Sequence, residues 1–219
     1  MFSRVRVIGS GRAGGAIHAR LAERGLDLEA ADPELVILCV PDDAIAGVAQ
    51  GLDPGPWLAH VSGATPLAAL DPHRQRFSVH PLQTLTRARG PEQLDGAWGA
   101  ISAETDAALE PARWLADTLG LHAFEIADAD RPIYHAAAVI GGNYLVTLHR
   151  AATRLLSEVG APPEAIVPLM RRTIENDFEL TGPIARGDRA TVDAHLAALA
   201  ERDPDLVPLY RALAEATRP

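Results

Sequence analysis

"VRVIGSGRAGGAIHARLAERGLDLEAADPELVILCVPDD" (residues 5–43) decides how the rest of the chain is read. Val5–Ile8 is a short apolar run broken by Gly9, the pattern of a strand entering a turn. Behind it Ala13, Ile17 and Leu21 recur every four residues, so a helix over 13–24 carries one apolar stripe until Gly25 stops it. Val36–Val40 is apolar throughout, as a strand covered on both faces must be. Between the first strand and the helix, Gly9, Gly11 and Gly14 form G-x-G-x-x-G. In that setting Gly9 permits the tight turn, Gly11 leaves room for a pyrophosphate, and Gly14 lets helix and strand approach. The helix N-terminus adds N–H donors and partial positive charge. The turn formed by Gly9, Ser10, Gly11, Arg12, Ala13 and Gly14 is therefore the expected binding segment for NADP or NAD. Val40 and Pro41, ending the next strand, extend it.

The unit is nevertheless short. A complete mononucleotide-binding half runs strand–helix–strand–helix–strand, yet only 21 residues separate Gly14 from Val36. "LDLEA" (26–30) fits a brief second strand, with Leu26, Leu28 and Ala30 alternating, and no room remains for another helix and third strand. In the usual order 3-2-1-4-5-6 the missing strand lies at the outer edge, so its loss spares the central strands and thins the wall beside an adenosine. Glu29 and Asp32 are the candidate acids for a ribose 2′-OH. Between Gly25 and Asp53 there is no Arg to clamp a 2′-phosphate, which leaves NAD versus NADP open. Asp42 or Asp43 is expected to cap the following helix.

Further strands are expected at "WLAHV" (57–61), "RFSVH" (76–80), "WGAIS" (98–102) and "LHAFEI" (121–126), with a helix over 104–120. That alternation means a mostly parallel, doubly wound sheet. After "DADRP" (128–132) the pattern becomes helical: one long helix over 134–159, a second over 162–180 with a kink near Pro168, then two more beyond the loop "TGPIARGD" (181–188). The fold class expected is thus α/β, a Rossmann-like sheet domain (1–130) followed by an all-α domain (131–219).

Composition narrows the function. A net charge of −9 argues against nucleic acid or an anionic membrane as the main partner. The single cysteine, Cys39 in "VILCV", excludes an intramolecular disulfide framework and reads as a small buried hydrophobe. No apolar run approaches the ~20 residues of a membrane span, and the opening strand carries no leader-like segment, so a cytoplasmic location is expected. Eight His and one Cys show no H-x-x-H, C-x-x-C or HExxH spacing, and a dedicated metal site is not expected. Neither G-x-S-x-G nor a Walker pattern is present.

The blocks "VIGSGRAGGAI", "LVILCVPDDAI", "HVSGATPLAAL", "SVHPLQTL", "YHAAAVIGGNYLV" and "LTGPIARGDRATVDAHL" follow one another here in that order. In this the chain resembles a family of short Rossmann-like oxidoreductases in the 6-phosphogluconate dehydrogenase-like superfamily, whose helical C-terminal domain was long of unknown function. The resemblance implies an NAD(P)-dependent oxidoreductase, some members being assigned as ketopantoate reductases. It also implies that the first helices of the second domain supply acid/base and positioning groups. His135 stands where several superfamily reductases carry a Lys, and Asn143 stands where their later Asn falls. Eight residues of helix rotate about 80° and rise about 12 Å, so both can line one elongated cleft. A proton must reach the heteroatom as a hydride reaches its carbon, and a histidine suits that task. "SVHPLQT" resembles the "HPM" segment of prephenate dehydrogenases, where the His touches substrate; His80 and Gln83 are the candidates here. Ser62 ends the preceding strand, and "TGPIARGD" offers Thr181 and Arg186, the latter suited to a carboxylate.

The expected activity is NAD(P)H-dependent reduction of a small 2-oxo acid or related carbonyl or imine, ketopantoate being the named candidate. The alternative is a non-catalytic nucleotide-sensing or interaction protein with a decayed cofactor site. The small residues of "AAAVIGG" point to a homodimer through the helical domain.

Overall fold

Gly9 ends the first strand, β1 (Val5–Ile8), at φ +111°, where an L side chain would be strained. The computed structural model describes residues 1–217. Five strands follow: β2 (Leu35–Leu38), β3 (Trp57–His60), β4 (Arg76–Leu82), β5 (Trp98–Ala103) and β6 (His122–Glu125). They hydrogen-bond in chain order, β1-β2-β3-β4-β5-β6. Every neighbouring pair is parallel except β4 with β5. This is the mostly parallel, Rossmann-like sheet that the alternating pattern predicts.

Helix α1 (Arg12–Glu23) and helix α3 (Asp106–Leu119) cover one face, against Leu35, Ile37, Ala59, Phe77, Val79 and Ile101. Helix α2 (Ile45–Gln50) and the 3-10 turn Leu67–Leu70 cover the other, against Val36, Leu38 and Leu58. All four residues of β2 are buried because alternate side chains enter different cores. Each such burial is worth about 1.5–3 kcal/mol, so β2 anchors both layers. Helix α3 is bounded by local chemistry: the Thr105 hydroxyl accepts the Ala108 N–H at 3.3 Å, and Gly120 takes φ +83° at the other end.

Three expectations for this unit change. Residues 26–30 form no strand; one parallel bridge, Arg4 to Asp27, is what remains of it. Leu26 and Leu28 still pack on the core, but the Asp27 carboxylate accepts the Glu29 N–H at 3.0 Å and bends the chain into a turn. Second, neither Asp42 nor Asp43 caps a helix: Pro41 is the N-cap of a 3-10 turn over Asp42–Ala44, and the two acids sit inside it. Third, Cys39 is half-buried rather than buried, although desolvation still pushes its thiol up to about 12.

The helix expected over 134–159 begins earlier, at Arg131, and is not uniform. Helix α4 (Arg131–Ala138) runs into a π-helical segment, Val139–Tyr144, before helix α5 (Leu145–Glu158). Gly141 and Gly142, the weak points of the sequence, lie in the π segment, where an extra residue per turn is accommodated. The chain divides into two compact units inside this segment, Met1–Gly142 and the remainder from Asn143, later than the expected boundary at residue 130.

In the second unit α5 packs against helix α6 (Ile166–Glu175), and helix α7 (Arg189–Arg202) against helix α8 (Val207–Ala216). Helix α6 is shorter than the 162–180 predicted. Asp177 and Phe178 turn left-handed, and their N–H groups bond back to Ile174 and Thr173 in a Schellman-type stop. Pro168 is the third residue of α6, where no intrahelical N–H is needed, so it sits in the first turn rather than at a kink. Asp188 caps α7 by accepting the Thr191 N–H at 3.1 Å. Among the described residues of this unit Leu199 is the only buried hydrophobic.

Candidate functional site

The strand register lays a polar row across the sheet. Leu38 pairs with His60, His60 with Ser78, and Ser78 with Ser102, all on one face. Such a row needs partners once buried. Ser102 donates to the Ile126 carbonyl at 2.9 Å, and Ser78 is met by Arg131, the first residue of α4 and itself fully buried. Its guanidinium donates to the Ser62 carbonyl at 3.0 Å and to the Ser78 hydroxyl, and pairs with the Asp128 carboxylate at 2.6 Å. The same carboxylate accepts the Leu67 N–H at 3.1 Å from both oxygens. A lone cation at a helix N-terminus opposes the helix dipole. The Asp128 pair and the two acceptors hold it there, and so fix α4 to the turn after β3 and to Ser78 within β4.

One row nearer the carboxyl ends of the parallel strands lies His80. Its Nδ1 is 2.6 Å from the Tyr134 hydroxyl, and its ring meets the rings of Tyr134 and His135 edge-on, with centroids 5.5 and 6.1 Å away. Gly63 makes this convergence possible. A Cβ there would stand 2.9 Å from both His135 Cδ2 and His80 Cε1. Phe124 packs on Tyr134 at 5.9 Å, and Trp98, more than half exposed, packs on Phe124 at 6.1 Å. The result is a wall of rings from the surface inward to His80.

The electrostatics follow from burial beside a fixed cation. His60 is lowered to about 3 by desolvation first, then by Arg131 and His80. Its Nδ1 accepts the Ser62 N–H at 3.2 Å, so the neutral ring carries its proton on Nε2, a buried atom with no partner among the described residues. His80 is lowered to about 4 by burial, His135 and Arg131, against an opposing pull from Asp42. Tyr134 is pushed up to about 12 by burial, with Arg131 opposing. At neutral pH the cluster therefore holds neutral imidazoles at 60 and 80 and an intact phenol.

At the far end of the same sheet edge is the glycine turn. A Cβ on Gly9 would meet the Cys39 carbonyl oxygen at 2.3 Å, and one on Gly14 would meet the Gly9 carbonyl oxygen at 1.9 Å. Both glycines are required by backbone contact. Gly11 differs: a Cβ there meets nothing within 4 Å. That open cradle faces the start of α1, where Gly11 is an N-cap without a capping side chain. Ser10 and Arg12 are exposed, Ala13 lies in the first turn of α1, and Val40 and Pro41 follow β2 on the same edge. The turn accordingly fits a dinucleotide pyrophosphate.

The structure thus brings His80, His135 and the Ser62-Gly63 turn together. The Ser62 hydroxyl is engaged within its turn, accepting from Ala64 and Thr65 N–H groups and bonding to Thr65 Oγ1. Gln83 is exposed and accepts the Thr84 N–H at 2.8 Å. Glu29 and Asp32 are exposed, and Asp32 lies 3.6 Å from Arg4. In the second unit Asn143, Thr181 and Arg186 are exposed, and Arg186 lines a groove of about 1080 Å³ with Pro183, Arg189 and Arg211. Tyr134, Arg131 and His60 were not singled out from sequence. The legible signal was Arg131 at a helix start, three residues after Asp128, against the dipole. Among the described residues no group of three or more His, Cys, Asp or Glu is placed to hold a metal ion, and no helix is long and apolar enough to cross a membrane.

Solved structures share the fold. BF3122 from Bacteroides fragilis, provisionally named an NADP oxidoreductase, superposes with TM-score 0.83 at 21% identity, covering 99% of this chain and 98% of that one. Protein TM1727 from Thermotoga maritima gives 0.76 at 23%, covering 97% and 96%. Plasmodium falciparum pyrroline carboxylate reductase, solved with NADP bound, gives 0.60 at 12%, covering 98% and 95%. No curated protein matches the sequence. The family model described as "Domain of unknown function (DUF2520)" matches residues 98–217, more than half of the chain, and the protein belongs to that family.

Proposed function

We propose that this protein is an NAD(P)H-dependent reductase of a small 2-oxo acid or related carbonyl or imine, acting in the cytoplasm, with ketopantoate as the first substrate to test. The observation that carries the reading is the placement of two features on one sheet edge. The open cradle at Gly11 follows β1, and the ring cluster at His80 lies near the end of β4. Strands β1 to β4 are mutually parallel, so both features belong to the carboxyl edge, where open α/β sheets bind ligands. Three strand spacings set them about 14 Å apart, a span a dinucleotide covers in an extended form.

When bound, a reduced nicotinamide supplies a hydride. The chain's own groups do the rest. The N–H groups of the first turn of α1 hold the pyrophosphate, with Arg12 beside it. His80, His135 and Tyr134 face the reacting carbonyl and hold the proton its heteroatom must receive. The fold likeness to an NADP-bound reductase supports the coenzyme class. The roles of Asn143, Thr181, Gln83 and Arg186 toward substrate rest on the sequence resemblance.

The helical unit is proposed to pair with a second copy. Its apolar faces are open: Leu169 is 62% exposed, Ile174 50% and Phe178 70%. One buried hydrophobic among the described residues cannot offset the ordering entropy of four helices, so a covering surface is needed. The deciding experiment is fluorescence titration with NADH and NADPH, followed by turnover of 2-oxo acids and cyclic imines. Saturable binding of one coenzyme supports the reductase; binding of neither at millimolar concentration overturns it and favours the non-catalytic alternative.

A further inference from the structure

We propose that Tyr134 is the residue that hands the proton to the substrate heteroatom, with His80 as its proton source and Arg131 as the buried strut that positions both; this rests on the reductase reading above. Three geometric observations carry it. The Tyr134 hydroxyl is bonded to His80 Nδ1 at 2.6 Å, so the pair exchanges a proton without rearrangement. Gly63 clears the space that lets both His80 and His135 close on this point. Arg131, three residues before Tyr134 on α4, is fixed by Asp128, Ser62 and Ser78, and therefore fixes the phenol's position over β4. Tyr134 is half-buried, with its hydroxyl end in the cluster.

The substrate carbon accepts a hydride from a reduced nicotinamide, and the C=O or C=N π pair moves onto the heteroatom. That atom takes the proton from Tyr134 Oη as the O–H bond breaks. The Tyr134 oxygen recovers a proton from His80 Nδ1, and His80 Nε2 takes one from solvent, so the imidazole ends as the other neutral tautomer. The environment suits this direction of flow. His80 faces His135 and Arg131 on α4, His60 on β3 and Asp42 after β2, and stays neutral at pH 7 with a pKa of about 4. Tyr134, at about 12, keeps its proton until a stronger base forms against it. A nascent alkoxide is such a base.

The test uses the whole chain and the Tyr134→Phe variant, which removes one oxygen and keeps the packing on Phe124. Coenzyme binding is measured first by NADH and NADPH fluorescence, then turnover of the 2-oxo acid and cyclic imine panel, and separately the ¹⁵N spectrum of His80. The expected result is unchanged coenzyme affinity, kcat lower by about a hundredfold or more with KM little altered, and a wild-type His80 protonated on Nδ1. Turnover within threefold of wild type, or a His80 protonated on Nε2 in the wild type, overturns the proposal. Failure of the wild type to bind either coenzyme overturns the reductase reading itself, and the ¹⁵N arm still shows whether the Tyr134–His80 pair is poised as described.

Discussion

The Gly9 carbonyl oxygen sits where a β-carbon on Gly14 would be 1.9 Å from it. Contact that close is backbone against backbone and cannot be relieved by a rotamer. Gly14→Ala is therefore expected to destabilise the protein by about 3 kcal/mol, the upper range for overpacking, in urea unfolding followed by circular dichroism. Gly11→Ala is expected to shift stability by less than about 0.5 kcal/mol, because its Cβ enters open space. The same variant is expected to weaken coenzyme binding by about tenfold or more, since that space is the proposed pyrophosphate seat. Equal stability losses in both variants would contradict the division of labour between the glycines.

Arg131 is a fully buried cation with three protein acceptors. Removing it takes the charged donor from the Ser62 carbonyl and the Ser78 hydroxyl, while the Asp128 carboxylate keeps the Leu67 N–H. Arg131→Met is expected to cost about 3 kcal/mol in the same unfolding assay, since two buried groups, at Ser62 and Ser78, lose a charged donor. A loss below about 1 kcal/mol would show that α4 is held by other contacts.

The sheet was legible in the sequence because its strands are short, strongly apolar and separated by glycine-stopped helices; Leu35–Leu38 and Gly120 illustrate both signals. The glycine motif was legible because its spacing is local, although the contact that demands Gly9, the Cys39 carbonyl, lies on the next strand. What failed at residues 26–30 was the assumption that alternation suffices, since an Asx turn at Asp27 competes with strand pairing. The π segment was marked only by Gly141 and Gly142, which are equally compatible with an ordinary helix. In the site, His80 and His135 could be named singly. Tyr134 and His60 could not, because their significance comes from partners more than fifty residues away in sequence, or from a cross-strand row that only the register reveals.

His60 and His80 have folded-state pKa values of about 3 and about 4, both below the ordinary value near 6.5. The unfolded chain therefore binds more protons than the folded one once pH falls below 6.5. Their contribution is fully present above pH 6.5 and is lost as pH drops through 6 toward 4. Each group that stays neutral lowers stability by up to about 1.4 kcal/mol per pH unit in that window. Chemical unfolding at pH 7, 6 and 5 is expected to show this decline, and His60→Gln to flatten it. A profile level from pH 7 to 5 would contradict the burial of these two rings.

The open apolar faces of α5 and α6 are expected to be covered by a second copy, burying at least about 1,000 Å² in all. Sedimentation velocity at micromolar concentration is expected to give a dimer, and Leu169→Asp to shift it toward monomer. A wild-type monomer across that range would leave the helical unit's exposed side chains unexplained by self-association.

The central claim is that the Gly9–Gly14 turn still seats a dinucleotide although the neighbouring strand has shrunk to one bridge at Asp27. Fluorescence titration of the intact protein with NADH and with NADPH tests it most directly. Saturation by one of them at micromolar to submillimolar concentration, weakened in Gly11→Ala, is the result expected. No saturable signal from either up to millimolar concentration would contradict it.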